Sequence, residues 1–184
     1  MRYIQLLMGN NASMPQIRII FPTAPFRSFT PLFGLRLRTW YDISAFSMNA
    51  TENNKQIDSI AEKLNDIVTD QMQKGIPSER IMYAGFSRGG DMSFHMGYSH
   101  LYSKFQRVLA GIGVISSFLP YSSQVYKDLS VNKCRLETPF LLEQHGENDH
   151  LVTLSMAEKT FQILRNEGVH GKFVIIPFSF LIII

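Results

Sequence analysis

The 184-residue chain contains one cysteine, Cys134. A lone cysteine excludes an internal disulfide and a cysteine-rich zinc site, and it fits a reducing compartment. Long apolar runs are missing too. The apolar patch from Tyr3 to Met8 is too short for the core of a secretion signal, and no small-residue cleavage site follows it. The stretch from Phe173 to Ile184 is interrupted by Pro177, short of the about 20 apolar residues that span a bilayer. The expectation is a cytoplasmic protein with no transmembrane segment. Dense charge of one sign is also lacking. The net charge is +3 and the pI about 9.0, but the closest basic residues are the scattered pairs Arg36 with Arg38 and Lys104 with Arg107. Nucleic-acid binding needs cations clustered on one face, so nucleic acid is not an expected partner. No repeat, low-complexity tract or linker divides the chain, and residues 1–184 read as a single domain.

Hydrophobic residues make up 45% of the chain, enough for a folded core. Five short apolar runs read as buried strands: Ile17–Phe21, Ile81–Gly85, Ala110–Ile115, Phe140–His145 and Lys172–Ile176. Each is apolar nearly throughout, as expected of parallel strands covered on both faces. Between them lie helical patterns. Gln56–Gln73 carries Ile57, Ile60, Ala61, Leu64, Ile67, Val68 and Met72 at helical spacing and stops before Gly75 and Pro77. Ser155–Asn166 repeats the pattern with Met156, Ala157, Thr160, Phe161 and Leu164, closed by Gly168. The alternation predicts an α/β domain, a mostly parallel sheet with helices on both faces. Pro22 to Ala50 has no clear period and reads as a long ordered loop.

Gly85-Phe86-Ser87-Arg88-Gly89 follows the second run and precedes helix-compatible residues through Tyr98. This is G-x-S-x-G in its strand-to-helix setting. A serine on so sharp a turn presents Oγ at the carboxyl edge of the sheet, while flanking glycines let the neighbouring chain pass. The turn also aims the Arg88 backbone N–H where an oxyanion would form. Ser87 is thus the expected nucleophile and Arg88 the expected oxyanion donor. After the run Phe140–Gln144 comes His145-Gly146-Glu147-Asn148-Asp149-His150-Leu151-Val152. A carboxylate there suits the acid that orients a catalytic histidine, which makes Asp149 the candidate. Gly, Asn and Asp also form ordinary surface turns, so a plain turn is the competing reading.

These residues resemble the acyl-protein thioesterases and lysophospholipase-like carboxylesterases of the α/β-hydrolase fold. The anchors, in order, are Ile20-Phe21-Pro22-Thr23-Ala24-Pro25 with Arg27 and Thr30, Trp40-Tyr41-Asp42, Gly85–Gly90, Ile115-Ser116-Ser117-Phe118-Leu119, and His145–Val152. The P-T-A-P-x-R-x-x-T stretch points to the lysophospholipase-like branch. The resemblance implies hydrolysis of carboxylic esters or thioesters through an acyl-enzyme on Ser87, with Asp149 as the acid and no cofactor or metal. It implies an acylated protein or a lipid ester as substrate, held near the loop before Trp40. Trp40 itself reads better as a packing or hinge residue.

Three departures qualify the resemblance. Nothing reads H-G-x-G-D, the loop that supplies the family's second oxyanion donor. No histidine follows Pro177, where the family places its base. Arg88 stands where Gln or Met is usual, putting a cation beside the nucleophile. Of the five histidines, His95 and His100 fall on the helix after Ser87, His145 belongs to the acid's own turn, His150 adjoins Asp149, and His170 precedes the last strand; packing or surface roles are expected for all of them. The expectation is a hydrolase domain truncated at both ends and inactive as written, the change after Pro177 marking a splice end or gene-model boundary. Its apolar Phe180–Ile184 tail is expected to promote aggregation. The alternatives are a catalytically dead homologue that binds acyl chains or a protein partner, and a hydrolase of another substrate class such as a peptidase.

Overall fold

The structure, a computed structural model, describes residues 16–132 and 137–177. The expectations for Tyr3–Met8, Cys134 and Phe178–Ile184 lie outside the described residues.

Four of the five apolar runs are strands of one parallel sheet: β3 (Met82–Phe86), β4 (Gly111–Ile115), β5 (Phe140–Gly146) and β6 (Gly171–Ile176), adjacent in that order. Their register aligns Phe86 with Ile115, Ile115 with Gln144, and Gly146 with Ile176, so the carboxyl ends finish together. The helices follow the spacing of the apolar residues. α1 (Asn54–Gln73) buries Ile57, Ile60, Ala61, Leu64 and Val68. The Asn53 side chain caps it by accepting from the Gln56 N–H at 3.2 Å, and Gly75 ends it at φ 87°. α2 (Arg88–Phe94) continues into a π-helix over His95–Lys104. α3 (Gln124–Asn132) and α4 (Leu154–Asn166) complete the layer; α3 was not anticipated from the sequence.

The main core gathers Tyr41, Phe94, Tyr98, Ile112, Val114, Leu141 and Leu164 between this layer and one face of the sheet. Tyr83 on that face donates its hydroxyl to the Leu64 carbonyl of α1, and Phe161 of α4 packs on Phe173 of β6. The described helices all cover this face. The opposite face carries Met82, Ile115, Phe140 and Ile176, which are 55, 42, 53 and 38% exposed. Among the described residues β3, β4 and β5 are thus more exposed on this face than on the other, while the outer strand β6 exposes both Ile175 and Ile176.

Two expectations change. Ile17–Phe21 is not a strand: it pairs with no described strand, and its four apolar side chains are 43 to 60% exposed. A lone segment has no partner for its backbone groups, so apolar composition alone does not make it a strand. The stretch Pro22–Ala50, read as a loop, contains an antiparallel hairpin, β1 (Phe26–Phe29) and β2 (Leu35–Arg38). Phe33 at φ 55° and Gly34 at φ 78° turn the chain between its strands. Phe29 enters a second apolar cluster with Ile43, Met48, Ala50, Phe118 and Val152.

Candidate functional site

Ser87 stands between β3 and α2 with φ 50° and ψ −123°, a backbone state that L residues avoid. Three hydrogen bonds hold it there. Its N–H donates to the Ile115 carbonyl at 2.9 Å, and its carbonyl accepts from the Asp91 N–H at 3.0 Å and from Ser117 Oγ at 2.6 Å. Strain of this kind costs about 1–3 kcal/mol and persists only where the surroundings over-determine the geometry. The glycines make room for it. A Cβ on Gly85 would lie 2.1 Å from the Gly89 carbonyl carbon, and one on Gly90 would lie 2.0 Å from Ser117 Oγ. The tight elbow anticipated at Ser87 is therefore present, and the side chain is half-buried.

Asp149 lies in the turn after β5 and is 3% exposed. Its Oδ1 accepts from the Leu151 and Val152 N–H groups, both at 3.0 Å. Its Oδ2 is buried with no hydrogen-bond partner; the imidazole nitrogen His145 Nε2 lies 3.8 Å away and is itself bonded to the Val152 carbonyl at 2.7 Å. The turn reading and the acid reading are thus compatible: one oxygen builds the turn and the other remains available. Ser87 follows β3 and Asp149 follows β5, so both sit at the carboxyl edge of the sheet with β4 between them. Two inter-strand spacings separate those strands by about 10 Å.

Arg88 opens α2. Its guanidinium is bound to the Asp91 carboxylate and lies 3.9 Å over the Tyr41 ring, with Nη2 3.4 Å from the Tyr41 carbonyl oxygen. The cation expected beside the nucleophile is paired within the fold. Burial raises the Asp91 carboxyl to about 6, even though Arg88 and the Phe118 N–H pull it down. Tyr41 donates its hydroxyl to Glu52 at 2.9 Å, and Glu52 also meets His95 Nε2 at 2.8 Å. Asp91 and Glu52 had no place in the sequence reading of the site, and Tyr41 entered it only within the anchor Trp40-Tyr41-Asp42; an acid three residues after Arg88 was the local signal.

The other histidines occupy packing or surface positions. His100 Nε2 lies 2.9 Å from Asp58, and His170 is exposed before β6. Trp40 is half-buried against the main core, and its indole nitrogen lies 3.6 Å from where a Gly89 Cβ would be. Among the described residues no cluster of three or more His, Cys, Asp or Glu is arranged to hold a metal. No helix among them is long and apolar enough to cross a membrane.

The phospholipase/carboxylesterase family matches residues 4–178. The chain is 34% identical over 175 residues to lysophospholipase-like protein 1 of Mus musculus, covering 95% of this chain and 70% of that protein. It is 32% identical over 159 residues to acyl-protein thioesterase 1 homolog 1 of Dictyostelium discoideum, covering 86% of this chain and 66% of that one. It therefore spans about two thirds of the length of these relatives. In fold it is similar to Zea mays acyl-protein thioesterase 2, with a TM-score of 0.75 at 20% identity over 100% of this chain and 81% of that chain.

Proposed function

The chain belongs to the phospholipase/carboxylesterase family of serine hydrolases, and from that premise we propose that Ser87 is the nucleophile of an ester or thioester hydrolase. The observation that carries the assignment is the strained elbow at Ser87 on the same carboxyl edge of the sheet as Asp149, a buried carboxylate with one unpaired oxygen. In the complete reaction Ser87 Oγ attacks the acyl carbonyl while an imidazole takes its proton. The Arg88 amide stabilises the oxyanion. The alcohol or thiol leaves with the transferred proton, and water then releases the carboxylic acid from Ser87. Asp149 Oδ2 accepts from the imidazolium and orients it. The substrate class is an acylated protein or a lipid ester approached from the cytoplasm.

Hydrolysis by these 184 residues alone is proposed to be slow, because their buried histidines are engaged elsewhere. His95 and His100 are held by Glu52 and Asp58, and His145 by the Val152 carbonyl. In subtilisin, loss of the base costs roughly a millionfold in kcat. Added imidazole tests both parts together. Hydrolysis of a p-nitrophenyl acyl ester is expected to stay near the level of Ser87→Ala without imidazole. With it, the Ser87-dependent rate is expected to rise roughly tenfold or more, a modest share of what a positioned base contributes. A fluorophosphonate probe should then label Ser87. An imidazole response identical in Ser87→Ala, with no label on Ser87, refutes the nucleophile and favours a homologue that only binds acyl chains or a protein.

A further inference from the structure

We propose that the Arg88 side chain, clamped between Asp91 and Tyr41, is a positioning group that holds the nucleophile elbow and the Arg88 backbone N–H in place. This rests on the serine-hydrolase reading above and assigns a role to a buried polar chain which that reading does not use.

Ser87 is strained, and the residue after it begins a helix, so the first turn of α2 needs an anchor. An arginine free of partners would extend its long side chain toward water. Here the guanidinium is turned inward, its side chain 12% exposed. One nitrogen donates to Asp91 Oδ2 across one helical turn. The planar group rests 3.9 Å over the ring of Tyr41, a residue with no exposed surface, and 5.9 Å from the Phe29 ring. Burial works against the charge on Arg88, and Tyr41, Asp91 and Glu52 more than offset it.

Each clamp residue is tied to a different part of the fold. Asp91 Oδ1 accepts from the Phe118 N–H at 3.2 Å, just past Ser117, whose Oγ donates to the Ser87 carbonyl. Tyr41 is braced by Glu52 Oε1, the same oxygen that meets His95 Nε2 of the π-helix. The first turn of α2, the exit of β4 and the segment before α1 are thereby locked together around Ser87. Arginine is suited to this task because a planar, delocalised cation stacks on an aromatic ring while donating sideways, which lysine cannot do.

The charged and titratable groups around Asp91 are Arg88 on its own helix, Tyr41 and Glu52 before α1, His95 on the π-helix and Glu143 on β5. Arg88 and His95 favour its ionised form, whereas Glu52 disfavours it. With its carboxyl near 6, Asp91 is charged and grips Arg88 above that pH, and is neutral and releases it below.

Site-resolved amide exchange reads the clamp without requiring catalysis. The Ser87 N–H and Asp91 N–H are bonded across the elbow, and the N–H groups of β4 serve as the internal control. After correction for the intrinsic rate, protection of Ser87 and Asp91 is expected to fall about tenfold or more as pH drops through about 6, the size expected for losing one charge-assisted hydrogen bond. Asp91→Asn is expected to show the low protection at every pH, with no step. Tyr41→Leu should lower protection, while Tyr41→Phe, which keeps the ring face, should keep most of it. β4 protection is expected to show no fall as pH drops through about 6. A step that persists in Asp91→Asn, or elbow protection equal in wild type and Tyr41→Leu, overturns the proposal. If Asp91→Asn does not fold, the wild-type pH series and the Tyr41 pair decide it. The imidazole assay fails separately if Ser87 is not a nucleophile, so the two ideas fall to different results.

Discussion

Glu143 shows how much a single buried residue can cost. It points into the main core from the middle of β5, has no exposed surface, and neither carboxyl oxygen has a hydrogen-bond partner. Burial, and secondarily the nearby Asp91 carboxylate, push its pKa well above the ordinary value. A raised carboxyl pKa means the folded state holds its proton where the unfolded state has released it. Stability is therefore fullest below the unfolded value of about 4.3 and declines as pH rises above it. Glu143→Gln removes the titration at nearly constant volume. Thermal unfolding across a pH series should show the variant more stable than wild type at pH about 8, the gap closing toward pH about 4. A gap that widens in acid would mean that Glu143 is charged in the fold.

At the level of elements, the hairpin β1–β2 shows a local conflict of a different kind. Its turn places Phe33 at φ 55° with the side chain fully exposed, although left-handed backbone costs a non-glycine residue about 1–2 kcal/mol. Thr30 fixes the hairpin from behind: its hydroxyl and N–H both donate to the Asp42 carboxylate, at 2.7 and 2.8 Å. Since Phe33 buries nothing, Phe33→Asn should relieve the backbone without losing contacts. Denaturant unfolding is expected to show a gain of up to about 1 kcal/mol. A loss of stability instead would show that the Phe33 ring is packed in solution. The hairpin was hard to see in the sequence because strands of four residues carry too little alternation to stand out from a loop.

The molecule as a whole leaves one face of its sheet open among the described residues, with Met82, Ile115 and Phe140 each more than 40% exposed. Both outer strands of that sheet, β3 and β6, also have one unpaired edge there. Apolar sheet surface of this kind drives association. Light scattering is expected to show concentration-dependent self-association, and the double substitution Ile115→Lys with Phe140→Lys is expected to reduce it. Identical scattering from the variant and the wild type would mean that this face is not the sticky surface.

Several features were determined by the sequence alone because their causes are local. The periodicity of Ile57, Ile60, Leu64 and Val68 sets the buried side of α1, and Gly75 sets its end. Gly85 precedes Ser87 because the elbow's own backbone at Gly89 and Gly90 passes too close for a Cβ there, a constraint contained within six residues. The turn at Asp149 was legible for the same reason, since it closes within three residues. Other features were decided only by the tertiary structure. Tyr41 and Arg88 are 47 residues apart in the chain, and Glu52 and His95 are 43 apart. No pattern along the chain announces such a contact, because it exists only once the sheet has brought the two segments together. The strand expected at Ile17–Phe21 fails by the same logic, since apolar composition is a property of the segment whereas a strand requires a neighbour to receive its hydrogen bonds.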